Sequence, residues 1–114
     1  LYSLIGHDYY MVVFFSSGCP HCRQEIPEFH EFIKGFGNIK ILAVGLEDVE
    51  QDWKEMIKDY TEFTNILDLK KWDSQKLKDY GVTAIPSYFL LDKNKVIVAK
   101  PNDVKELKDM FQPR

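Results

Sequence analysis

Cysteine is scarce in this chain of 114 residues, which holds two, Cys19 and Cys22. Two thiols exclude a disulfide framework. They also argue against a closed zinc site, which takes four ligands, because His7, His21 and His30 supply no second ligand pair at suitable spacing. Long hydrophobic runs are missing as well: no stretch reaches the ~20 apolar residues of a membrane span. Charge of one sign is nowhere concentrated. The 15 basic and 18 acidic residues are interspersed and give a net charge of −3, so no basic stripe invites nucleic acid and no acidic block suggests a tail. Repeats, low-complexity tracts and linkers are absent. No signal peptide is present, but the chain begins with Leu1 rather than methionine; it is expected to be cut from a longer precursor, and its ends disclose no compartment. What the chain does have is apolar mass. With 45% hydrophobic and 14% aromatic residues, one compact domain over residues 1–114 is expected, and another protein or a small thiol is the default partner.

Residues 10–15 form a continuous β-branched and aromatic run, closed by Ser16-Ser17-Gly18. That is the pattern of a buried strand. From Cys19 onward Ile26, Phe29, Ile33 and Phe36 recur at helical spacing, with Arg23, Gln24, Glu28, Glu31 and Lys34 mostly opposite, until Gly35 and Gly37 stop the helix. Ile39–Leu46 reads as a second buried strand and residues 49–60 as a second helix. Such alternation argues for a layered α/β domain with parallel strands. Beyond it the pattern predicts a short extended piece at 65–69 and a small helix over 74–80, capped by Ser74 and ended by Gly81. Strands Ser87–Leu91 and 95–99 are joined by Asp92-Lys93-Asn94, and an amphipathic helix covers 104–111.

Cys19-Pro20-His21-Cys22 stands where the first strand gives way to the first helix. A disulfide across so short a loop adds only roughly 2 kcal/mol of chain-entropy stabilisation, against about 4.7 kcal/mol for a loop of about 100 residues. It is a poor staple and a good reversible two-electron couple, because one thiol can attack a partner disulfide and the other can resolve the mixed disulfide. The amino end of a helix favours an anion, which suits Cys19 as nucleophile. Cys22, one turn further in and above Ile26 and Phe29, is expected to be the more buried, resolving thiol. His21 is expected to tune the thiolate. Glu25 follows Cys22 by three residues, so the two share a helix face; it could exchange a proton with Cys22 or be an ordinary solvated glutamate.

The segment Phe14-Phe15-Ser16-Ser17-Gly18-Cys19-Pro20-His21-Cys22, with Glu25-Ile26-Pro27 after it and Tyr80-Gly81-Val82-Thr83-Ala84-Ile85-Pro86-Ser87 further on, resembles the thioredoxin-fold superfamily. Within it the chain is similar to the TlpA/ResA-like thiol-disulfide oxidoreductases, from residue 9 to the end. The resemblance implies a thioredoxin-like three-layer α/β/α sandwich with a mixed central sheet of about four strands, helices on both faces and the usual amino-terminal strands lacking. It implies that Pro86 is a cis-proline facing the dithiol, that Ile85 offers backbone groups to an extended substrate with Gly18 and Pro20 bordering the same site, and that Pro27 bends the active-site helix. In such proteins a glutamate at the place of Glu25 tunes the thiols. Thioredoxins proper keep a buried aspartate where this chain has Val13, which gives Glu25 weight. Gly18 stands where tryptophan is common, which removes an aromatic wall and widens the choice of partner.

The implied activity is disulfide exchange with protein substrates, the reductase direction slightly favoured, although Pro20-His21 is similar to the dipeptide of the oxidase DsbA. No cofactor beyond the redox-active pair Cys19/Cys22 is implied. Protein thiols and disulfides, apocytochromes among them, and an upstream thiol donor or acceptor are the implied partners of a monomer. The implied setting is extracytoplasmic, in the bacterial periplasm or membrane-anchored facing it. A peroxiredoxin-type peroxidase is a rival, but its Pro-x-x-x-Thr-x-x-Cys signature is replaced by Val12 and Ser16. A redox-inactive interaction module with vestigial cysteines is the other, and the joint presence of Cys19, Cys22, Glu25 and Pro86 argues against it. Trp53 is read as core, Trp72 as a surface loop, Lys70-Lys71 as a solvated face, and Lys100-Pro101-Asn102 as a third docking loop beside Pro86.

Overall fold

The computed structural model describes residues 9–36, 39–70, 73 and 75–110. The expectations placed on His7, Gly37, Lys71, Trp72, Ser74 and Phe111 lie outside the described residues. Strand β1 (Tyr9–Phe15) is the centre of the molecule, with Met11 through Phe15 all buried. Burial on both faces explains why it reads as one apolar run rather than an alternation. Met11, Val13 and Phe15 enter one core, and Val12 and Phe14 enter another on the opposite face.

Around β1 the chain adds α1 (Pro20–Ile33), β2 (Ile39–Leu46), α2 (Glu50–Ile57), β3 (Thr64–Asp68), α3 (Gln75–Tyr80), β4 (Ser87–Leu91), β5 (Ile97–Ala99) and α4 (Val104–Met110). The sheet runs β3-β2-β1-β4-β5. β1, β2 and β3 are parallel, while β4 pairs antiparallel with β1 and with β5. This is the expected thioredoxin-like α/β/α sandwich with a mixed sheet, of five strands rather than about four. The extra strand is the extended piece near Asn65, whose backbone finds β2 as a partner.

Both parallel crossovers put their helices on one face, where Ile26, Phe29 and Ile33 of α1, Met56 of α2 and Val104 and Leu107 of α4 share a core. The other face receives Leu77 of the short α3. Phe29 lies between the rings of Phe63 at 5.9 Å and Tyr88 at 5.2 Å, a burial that contributes on the order of 2–3 kcal/mol. Trp53 is half-buried against the same core and lies on β2 at Gly45, where a Cβ would come within 2.5 Å of its indole Cδ1.

Several ends differ from the expected bounds for local reasons. α1 stops at Ile33, and Phe36 sits past the end with its N–H on the Ile33 carbonyl at 2.9 Å. α2 gives up the outer residues of 49–60, with Val49 extended before it. Gly81 adopts φ +67° after α3 while Val82 N–H returns to the Leu77 carbonyl at 2.9 Å, the Schellman arrangement that glycine permits. In the hairpin, Asp92 Oδ1 accepts from Asn94 and Val96 N–H, so the turn consumes residues expected to begin β5.

Candidate active site

Cys19 occupies the cap of α1 in an extended conformation (φ −96°, ψ 110°). Its Sγ accepts from the Cys22 N–H at 3.1 Å, using a donor that a helix start leaves free. Pro20 takes the first helical position, where its missing N–H costs nothing. The half-buried Cys19 thiol donates to the Ile85 carbonyl at 3.9 Å, and the Ile85–Pro86 peptide is cis. The loop before β4 therefore stands against the thiol, while Gly18 and Pro20 are exposed on either side of Cys19 in the chain. Lys100, Pro101 and Asn102 line, together with Pro86, one cavity of about 220 Å³.

Cys22 is the inverse of Cys19. It is wholly buried, in one core with Val13, Ile26 and Phe29. Burial first, and then its contact with Cys19, push its thiol well above the usual range, while a backbone hydrogen bond from Ser16 opposes the rise.

Glu25 is not a solvated glutamate: it is 8% exposed and fully engaged. Oε1 accepts from the Tyr88 hydroxyl at 2.8 Å and from the Val104 N–H at 3.1 Å, and Oε2 faces His21 Nε2 at 2.9 Å. Burial, followed by the hydrogen bond to Glu25, holds the Tyr88 phenol well above its ordinary range. His21 is thus turned to Glu25, one helical turn on, with 61% of its side chain in solvent. Pro27 lies inside α1 and is exposed.

A second buried glutamate completes the site. Because β1 and β2 are in parallel register, with Phe15 beside Gly45, the residues that follow them meet. Glu47 accepts from Ser17 N–H at 2.8 Å, Ser17 Oγ at 2.7 Å and Ser16 Oγ at 3.5 Å. Neither Glu47 nor Tyr88 stood out in the sequence. For Glu47 the available signal was position: side chains just past the carboxyl ends of parallel strands are where such sheets place their sites. His30 lies elsewhere, on the rings of Tyr60 and Phe63 and paired with Glu62. Among the described residues no group of three histidine, cysteine, aspartate or glutamate side chains could hold a metal ion.

The family model described as thioredoxin-like matches residues 6–97. The chain belongs to the thioredoxin-like family. Among its thioredoxin-like relatives it is 30% identical over 87 residues to the sporulation thiol-disulfide oxidoreductase A of Bacillus subtilis, covering 70% of this chain and 50% of that protein. It thus spans half the length of that curated relative. Its fold is similar to the thioredoxin domain of a thiol-disulfide oxidoreductase from Bacteroides vulgatus, at TM-score 0.75 and 29% identity over 91% of this chain and 76% of that one. StoA from Bacillus subtilis superposes at TM-score 0.70 with 26% identity over 93% of this chain and 84% of that one.

Proposed function

We propose that this chain is a thiol-disulfide oxidoreductase acting on protein disulfides through Cys19 and Cys22. The observation that carries the reading is the asymmetry of the pair: an accessible sulfur receiving a helix-cap N–H, beside the carbonyl of Ile85, and a second sulfur wholly buried in the core. Cys19 thiolate attacks a substrate sulfur, forming a mixed disulfide and releasing one substrate thiol. Cys22 then loses its proton and attacks Cys19, forming the Cys19–Cys22 disulfide and releasing the second thiol. Two electrons pass to the substrate, and an upstream dithiol restores the pair. Neither step needs a bound cofactor.

Glu25 takes the proton of Cys22, and His21 passes it to solvent, a route supported by their 2.9 Å contact. The substrate lies extended along Ile85 and Pro86, with Gly18 and Pro20 bordering it. The reductase direction is favoured: a couple becomes oxidising when its thiolates are stabilised, and burial denies Cys22 that stabilisation. The chain works outside the cytoplasm, in the periplasm or membrane-anchored facing it, in keeping with its bacterial relatives; no helix among the described residues is long and apolar enough to cross a membrane.

Cys22→Ser tests the reading. The variant should accumulate mixed disulfides on Cys19 that reductant releases, and absence of any reducible adduct would falsify it. Equilibration of the wild-type couple with thiol buffers then reads the direction: a midpoint near about −270 mV supports a reductase and one near about −120 mV an oxidase.

A further inference from the structure

Glu47 is 2% exposed. Burying a carboxylate costs several kcal/mol unless strong hydrogen bonds offset it, and here those bonds all run to one place. The bonds from Ser17 N–H, Ser17 Oγ and Ser16 Oγ hold the loop that delivers Cys19. Glu47's own N–H is anchored on the Asp68 carbonyl at 3.0 Å, at the end of β3. Ser16, in turn, holds the chain at Cys19. Its carbonyl accepts from Cys19 N–H at 3.2 Å, and its Oγ accepts from Gly18 N–H at 3.3 Å. From the helix side, Arg23 Nε donates to the Ser17 carbonyl at 2.5 Å. Since Gly18 is exposed, water could satisfy a loop at this place; a buried carboxylate from another strand adds fixed geometry instead.

We infer that Glu47 is a positioning residue for the dithiol, acting through Ser16 and Ser17 to keep Cys19 Sγ on the Cys22 N–H. It deepens the proposed function, since it rests on Cys19 and Cys22 being the reacting pair. The groups around Cys19 divide by element: His21 and Arg23 on α1, Glu47 after β2 and the Ile85 carbonyl before β4. Glu47 orients the loop from outside the helix, through Ser16 and Ser17.

The test compares Glu47→Ala with Glu47→Gln. Both lack the charge, but glutamine still offers an acceptor to Ser17 N–H and a donor to a serine Oγ, so their difference reads positioning alone. The readouts are the pH profile of Cys19 alkylation by iodoacetamide, followed by mass spectrometry, and the equilibrium of the pair with glutathione, with a thermal melt beside them. The alkylation midpoint of the alanine variant should lie about one pH unit above that of the glutamine variant, about tenfold less thiolate near neutrality. The glutathione equilibrium should differ in the same comparison by threefold or more.

Coincidence of the two variants in both readouts overturns the inference, whatever happens to melting. Should Glu47→Ala fail to fold, Ser17→Ala removes the 2.7 Å bond alone and should raise the alkylation midpoint in the same sense by a smaller amount; an unchanged midpoint overturns the inference equally. These are properties of the thiols themselves. A Cys22→Ser variant that traps no protein partner would defeat the proposed activity and leave this comparison standing.

Discussion

Two buried glutamates flank the dithiol, and they do opposite things with their surroundings. Glu47 spends both oxygens on a single loop two to three residues before Cys19, so it governs where the first sulfur sits. Glu25 reaches away from the loop: one oxygen binds β4 and the start of α4, and the other leads through His21 to solvent. One carboxylate therefore has a closed environment and the other an open one. Placement of a nucleophile calls for the first kind, and movement of a proton for the second.

The contrast breaks most visibly at Glu25→Gln. Glutamine oxygen can still accept from Tyr88 and Val104, so melting should change little, but the amide accepts no proton. Rapid-quench separation of the two half-reactions should show the resolving step slowed by about 10²-fold or more, general acid-base catalysis being worth 10²–10⁴, with attack by Cys19 little affected. Equal slowing of both steps would show that Glu25 does not serve Cys22 selectively.

A pH titration of stability sharpens the same point. The folded state holds the Cys22 thiol above its ordinary value of 9.0, so the unfolded chain ionises first. The stabilising contribution is complete below pH 9 and is lost as pH rises beyond it, by up to about 1.4 kcal/mol per pH unit. Chemical denaturation of the reduced protein between pH 8 and 10 should show this decline, and Cys22→Ala should flatten it. Tyr88→Phe removes one donor to Glu25 while Val104 N–H remains, for an expected loss of about 1 kcal/mol. His21→Ala closes the exit rather than the fold: an exposed ring should leave stability within about 0.5 kcal/mol, while resolution becomes dependent on added buffer bases.

The sequence showed the cysteine end of this comparison more readily than the carboxylate end. Cys19, Cys22 and the approach of the Ile85-Pro86 segment follow from local spacing joined to a family pattern, and β1 and α1 follow from an apolar run and a helical period. Glu25 was visible by its spacing from Cys22, but its burial was not, because the groups that cover it come from Tyr88 and Val104, fixed by tertiary packing. Glu47 was hidden for the same reason: it lies 30 residues from Ser17, and only the parallel register of β1 with β2 brings them together. β3 went uncounted because a half-buried edge strand carries little apolar signal of its own, its burial running from exposed Thr64 to buried Asp68.

The bond between Glu25 and the Val104 N–H spans 79 residues, and that distance has a meaning in time. At translation rates of about 5–20 residues per second, Val104 follows Glu25 out of the ribosome by roughly 4–16 s. During that interval Glu25 lacks its bond to α4, and Val104 and Leu107 are missing from the core that holds Cys22. The full shelter of Cys22 is therefore acquired late, once α4 has been made and has packed on its core.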